Sequence, residues 1–86
     1  MKSAFIAVSY KHRHDLKDVI QTIRETLLAH GYTPMVFVEQ YNFQPHQTKR
    51  MMETSTGHIQ ACDLFIAELT HKAVGVGIEA GFAFAN

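Results

Sequence analysis

Residues 62–86 read CDLFIAELTHKAVGVGIEAGFAFAN, and this stretch decides the fold. Residues 64–69 are an apolar run of the length of a buried strand. A loop follows, then the glycine pair Gly75 and Gly77, then a helix expected to open at Ile78 and Glu79 and to run to Ala85. Strand, glycine turn and helix are the repeating parts of an α/β domain. A carboxylate in the first turn of a helix faces the positive end of the helix dipole, which favours its ionised form. Unpaired backbone N–H groups at the same place can receive an anion. Gly75 and Gly77 would let a phosphate or sugar approach the backbone, and Glu79 would do the chemistry; the plain structural reading is a tight turn with a charge at the helix start.

The rest of the chain supplies matching units. Residues 4–8, AFIAV, are a continuous apolar run suited to a strand buried on both faces. The polar residues 9–14 end it. Asp15 is placed to cap the next helix, and Asp18 adds negative charge to its first turn. Leu16, Val19, Ile20, Ile23 and Leu27 then fall at helical spacing. His30 and Gly31 are a stop signal, Gly31 being able to take the left-handed conformation. Residues 35–38 read as a second strand and residues 39–47 as a loop. Thr48 begins a second helix, with Met51, Met52, Ile59 and Cys62 on its apolar side and Gly57 inside it. The expected order is β-α-β-α-β-α: an α/β three-layer sandwich with a doubly wound parallel sheet, flavodoxin-like. With strand order 2-1-3, the loops after the first and third strands part at the point where ligands of such sheets bind. Ser9, Tyr10 and Lys11 follow the first strand; Glu68 to Glu79 follow the third.

Composition narrows the class. Eighty-six residues make a single domain, 47% hydrophobic with two prolines, which argues for a folded globule. Such a chain buries a modest share of its surface, so dimerisation would help it. Eight basic and eight acidic residues balance, so nothing draws the chain to a nucleic acid polymer or an anionic membrane. The first apolar run is too short for a signal segment or a membrane span. Cys62 is the only cysteine, which excludes an internal disulfide and fits a reducing, cytoplasmic compartment.

Other constellations are weaker. Residues 75–80 satisfy G-x-G-x-x-A, but after the third strand, with no acidic ribose ligand about 20 residues on. Lys11, His12, Arg13 and His14 could clamp a phosphate, or be a solvated loop. His12 with His14, or His58 with Cys62, offer too few ligands for a closed metal site. Neither metal nor cofactor is expected. Tyr41, Asn42, Phe43 and His46 could stack on a base, or line a surface loop. Cys62 reads as buried packing and Asp63 as structural. Glu68 could orient the loop or touch a ligand.

Residues 63–70, DLFIAELT, followed by residues 75–81, GVGIEAG, resemble the signature of the nucleoside 2-deoxyribosyltransferase family. The likeness is nearest to the branch that holds the 2′-deoxynucleoside 5′-monophosphate N-hydrolases. The matching block covers about a quarter of the chain. The resemblance implies a flavodoxin-like fold, a homodimer with a shared site, and Glu79 as nucleophile. Glu79 would attack the anomeric carbon of a deoxynucleoside or its 5′-monophosphate and form a glycosyl-enzyme ester, later resolved by water or a second base. The Gly75 and Gly77 N–H groups would hold the 5′-phosphate.

The chain departs from that pattern in places. Ala73 stands where the branch has a phosphate-contacting serine, and Phe5 where it has an active-site tyrosine. In the loop after the first strand only Ser9 clearly matches. Ser55 stands where the family has an aspartate, with Glu53 two residues before it. Family members continue with another strand and helical segment, whereas this sequence ends at Asn86. The reading is therefore a truncated or reduced member of the family. The leading function is N-glycosidic cleavage or transfer. The alternative is a non-catalytic nucleotide-binding module of the same fold. An assembly domain is a third reading without positive evidence.

Overall fold

The computed structural model describes residues 2–70 and 74–85. The chain runs β1 (Lys2–Ala7), α1 (Lys17–Ala29), β2 (Tyr32–Val36), a short α2 (Phe37–Gln40), a 3-10 turn (Pro45–Gln47), α3 (Thr48–Ala61), β3 (Leu64–Ala67) and α4 (Val74–Ala85). All three strands are parallel, in the order β2-β1-β3. Ser3 pairs with Thr33 on one side, and Phe5 pairs with Phe65 on the other. This is the α/β, flavodoxin-like layout expected from the sequence.

β1 is central, and its residues alternate between two cores, as strand geometry requires. Ala4, Ile6 and Val8 meet Leu16, Ile20 and Leu27 of the α1 segment. Phe5 and Ala7 meet Phe37, Ile59 of α3 and Val76 of α4. α1 therefore covers one face of the sheet, and α2, α3 and α4 cover the other. The second core is rich in aromatic rings. Phe5, fully buried, lies 5.7 Å from the ring centroids of both Phe37 and Phe65. Burying a phenylalanine contributes about 1.5–3 kcal/mol, so this group anchors the α3–α4 layer to the sheet.

Several local expectations are corrected. β2 ends at Val36, and Phe37 and Val38 enter a helical turn rather than completing a strand. A short apolar run does not by itself separate strand from buried helix. Phe37 is buried in the aromatic core and Arg24 of α1 pairs with Glu39 of α2, so tertiary contacts decide for the helix. The β2 segment begins instead at Tyr32 and accepts Pro34, since a strand at the edge of the three has ladder positions that need no N–H. Asp15 does not cap α1: Leu16 holds that position without a side-chain cap, and the Asp15 carboxylate lies 3.4 Å from His12 Nδ1. Val19 turns out to solvent. α3 runs unbroken through Gly57. β3 stops at Ala67, although Glu68 N–H still donates to Ala7 O at 2.9 Å. Gly31 ends α1 at φ +82°, the left-handed conformation expected of it.

The largest correction concerns α4. It opens at Val74, not at Ile78, so Gly75 and Gly77 lie within the helix and Glu79 lies in its second turn. Among the described residues no helix is long and apolar enough to cross a membrane.

Two substitutions test this packing. Phe5→Ala should cost about 3–5 kcal/mol by emptying the aromatic core. Gly31→Ala should cost about 1 kcal/mol or more because alanine resists positive φ. Urea denaturation of each variant against the wild type reads both.

Candidate functional site

A pocket of about 530 Å³ opens at the C-terminal end of β1, bordered by the loop after that strand and by α4, the helix that follows β3. The loop after β1 contributes Val8, Ser9, Tyr10 and Lys11. α2 and the segment after it contribute Phe37, Val38, Tyr41 and Phe43. α3 contributes Thr48, Met51, Met52, Ser55 and Thr56, and α4 contributes Val76, Ile78 and Glu79. Four separate pieces of chain thus meet where an open α/β sheet places its ligands.

Glu79 is the only carboxylate among the described lining residues. Its place follows from helix periodicity. It stands three residues after Val76 and four before Ala83, both of which pack on the second core. The carboxylate is therefore carried on the inward side of α4 and is half-buried. Burial pushes its pKa up from 4.5 to about 7, against a smaller downward pull from a hydrogen bond with the Ser55 hydroxyl. This corrects the expectation of a carboxylate held ionised at a helix start. α4 has no acidic residue in its first turn, and beyond that turn the dipole's effect falls away. At neutral pH Glu79 is poised between its charged and neutral forms.

The Ser55 side is well defined. Ser55 is 3% exposed, and its hydroxyl lies 3.1 Å from the carbonyl oxygen of Met52. Glu53, two residues before it, is exposed and lies 4.0 Å from Lys49, so it does not take the place of an acid in the pocket.

One wall is aromatic. Phe37 and Tyr41 have ring centroids 4.9 Å apart, and Tyr41 and Phe43 are stacked at 5.8 Å. The Tyr41 hydroxyl is fixed by His58 Nε2 at 2.8 Å. Tyr10 donates to Asn42 Oδ1 at 3.0 Å and so ties the loop after β1 to the segment after α2. Arg13 sits 3.7 Å over the Tyr10 ring and donates to its carbonyl at 2.6 Å. That guanidinium therefore serves the loop, while Lys11 is the cation that borders the pocket. Ser9 is buried, and its Oγ accepts from the backbone N–H of His12 at 3.3 Å.

The structure thus brings Ser9, Tyr10, Lys11 and Glu79 together. Glu68 is not among the described lining residues. The Glu68 carboxylate accepts from the N–H and hydroxyl of Thr70 at 2.7 and 2.6 Å, which folds it over its own loop. Gly75 is in the first turn of α4, and Gly77 is the helix's fourth residue and is exposed. The loop reading of this pair is therefore replaced by a helical one. Ala73 and His71 lie outside the described residues. Met51 and Met52, read from sequence as packing, also line the pocket. The signal was available: Met51 and Ser55 are four apart on one helix, and Ser55 is four before the buried Ile59.

No protein-family model matches the chain, and no curated protein matches its sequence.

The raised pKa has a signed consequence for stability. Between pH 4.5 and about 7 the folded chain holds a proton on Glu79 that the unfolded chain has released. Stability falls with rising pH wherever the folded state binds more protons. Glu79→Gln removes this dependence. The variant should match the wild type below pH 4.5, gain on it progressively to pH 7, and hold a constant advantage above that. Thermal melts of both proteins from pH 4 to pH 8.5 measure the difference directly.

Proposed function

We propose that the pocket binds a nucleoside or its 5′-monophosphate and that Glu79 attacks the sugar, cleaving or transferring the N-glycosidic bond. The observation that carries this reading is the Glu79 carboxylate, half-buried in an aromatic-walled pocket at the C-terminal end of β1. Its surroundings suit such a ligand. Tyr41 and Phe43 offer ring faces for a planar base. Ser9, Tyr10 and Lys11 offer a hydroxyl-bearing, cationic edge for a phosphate. The resemblance of residues 63–70 and 75–81 to the deoxyribosyltransferase signature supports the same chemistry. It also supports a homodimer working in the cytoplasm.

The reaction divides into two displacements. A Glu79 carboxylate oxygen forms a bond to the anomeric carbon while the bond to the base nitrogen breaks. The electron pair leaves with the base, which takes up a proton from solvent. Water, or a second base, then attacks the same carbon and expels the carboxylate. Two inversions give net retention. The nucleophile must be ionised, so the first step needs Glu79 deprotonated. The low polarity of the site makes the ionised form scarcer and at the same time less solvated.

A second reading is favoured by one observation: Glu79 stands without another carboxylate among the described lining residues. A departing base then finds no side-chain acid of that kind beside it. In this reading the chain is a nucleotide-binding module that does not turn its ligand over.

Chromatographic base release separates the two. The wild type, incubated with deoxynucleosides, their 5′-monophosphates and ribose counterparts, should liberate free base, and Glu79→Ala should not. The rate should climb roughly tenfold per pH unit well below 7 and level off above it, as expected for an essential base. Absence of release, together with a higher melting temperature in the presence of a nucleotide, would favour the binding module.

A further inference from the structure

We propose that His58 is a positioning residue for the pocket: it holds the Tyr41 ring in place as part of the aromatic wall. His58 Nε2 lies 2.8 Å from the Tyr41 hydroxyl, a side-chain contact that joins α3 to the segment after α2. Tyr41 lines the pocket, whereas His58 is not among the described lining residues. With its hydroxyl engaged by His58, Tyr41 contributes the face of its ring to the pocket. The use of that face to stack a base rests on the nucleotide reading given above; the placement of the ring does not.

Tyr41 needs such a tether. Its backbone N–H donates to the Phe37 carbonyl at 3.1 Å and closes α2, but from Tyr41 to Gln44 the chain has no regular secondary structure. This segment nevertheless carries two rings of the pocket, Tyr41 and Phe43. Neighbouring rings supply part of the constraint. Phe37 lies 4.9 Å from Tyr41, and Phe43 is stacked on it at 5.8 Å with 16° between the planes. Such contacts set the plane of a ring and allow it to slide within that plane. The hydroxyl lies on the long axis of the ring, so a directional hydrogen bond there fixes where the axis points. Plane and axis together leave one placement.

His58 is itself well held. It belongs to α3 and directly precedes Ile59, which is buried in the second core. Its ring meets Phe37 edge-on, at 6.3 Å and 67°. The anchor therefore rests on a helix and on the same phenylalanine that Tyr41 packs against. α3 also supplies Met51, Met52, Ser55 and Thr56 to the pocket, so the tether registers Tyr41 against the opposite part of the lining. A neutral imidazole has one N–H and one bare nitrogen, and a phenol can both give and accept. Either direction of donation holds the ring.

The test is nuclear magnetic resonance on the wild type, His58→Phe, His58→Gln, Tyr41→Phe and the double variant His58→Phe with Tyr41→Phe. His58→Phe keeps a ring beside Phe37 and loses the hydrogen bond. His58→Gln loses the ring and keeps an amide able to bond the hydroxyl. In the ligand-free proteins the Tyr41 ring signals should move in His58→Phe and return in His58→Gln. The His58 Nε2 signal should move in Tyr41→Phe. Backbone signals of β1 and α1 should stay in place throughout. Tyr41 signals unmoved in His58→Phe, or a glutamine variant that behaves as the phenylalanine one, would overturn the proposal. The same samples are then titrated with adenine and with 2-deoxyribose 5-phosphate, neither of which has a glycosidic bond to break. Adenine should bind His58→Phe and Tyr41→Phe about fivefold more weakly, the low end of what a base–ring stack contributes. The double variant should be no weaker than either single one, since both remove the same contact. The sugar phosphate should keep its wild-type affinity; an equal loss for both ligands would mean a general loosening of the pocket and overturn the proposal. Failure of adenine to bind the wild type would sink the nucleotide reading and leave the ring signals to decide the role of His58. Undiminished adenine binding in His58→Phe would sink the role of His58 and leave the nucleotide reading standing.

Discussion

β1 is covered on both faces, and much of the structure follows from that burial. A strand with cores on either side must be apolar at successive positions, and residues 4–8 are. Alternation then sends Ala4, Ile6 and Val8 to the α1 layer and Phe5 and Ala7 to the aromatic layer. The first crossover runs from β1 to β2 on one side, and the second runs back from β2 past β1 to β3, so with right-handed connections their helices lie on opposite faces. At the C-terminal end of the same strand the chain reaches Val8 and Ser9, both buried and both at the pocket. The strand that organises the core thus also sets the position of the crevice.

The burial of Glu79 works against this economy. α4 carries Glu79 as its one charged residue, and puts it on the face that packs inward. An ionised carboxylate loses hydration there, which is why its pKa rises to about 7. Nothing in the packing of Val76, Phe82 and Ala83 requires an acid at that position. A methionine or leucine would fill similar space without the desolvation. Groups that a fold carries at a cost to its stability tend to sit at functional sites. Here the costly group also borders the pocket at the C-terminal end of β1.

How far the sequence could be read depended on which forces decided each element. The strands β1 and β3 and the helix α1 were legible because hydrophobic periodicity alone specifies them. The opening of α4 was not. Gly75 and Gly77 look like turn residues, since glycine in a helix costs about 1 kcal/mol relative to alanine. That local cost is overcome by tertiary contact, with Val76 between them 3% exposed against the aromatic core. Phe37 and Val38 were misread for a similar reason, their apolar run being equally suited to a strand. Of the site, the choice of Glu79, Ser9, Tyr10 and Lys11 followed from topology, which fixes what lies at the strand ends. The electrostatic state of Glu79 did not follow, because it depends on where one helix begins. Four residues of difference move the carboxylate from a place that favours its charge to one that opposes it.

That displacement bears on what the site can do. At a helix start, Glu79 would be a permanent anion, suited to nucleophilic attack and little else. In the second turn and half-buried, it passes between charged and neutral forms near pH 7. A group with that property can deliver a proton as well as withdraw one. The pocket holds no other carboxylate among its described residues. The neutral form can donate a hydrogen bond to a group in the pocket, and the charged form can only accept one. Exclusion of further water would raise the pKa again, while a cationic or donor group brought into the pocket would lower it.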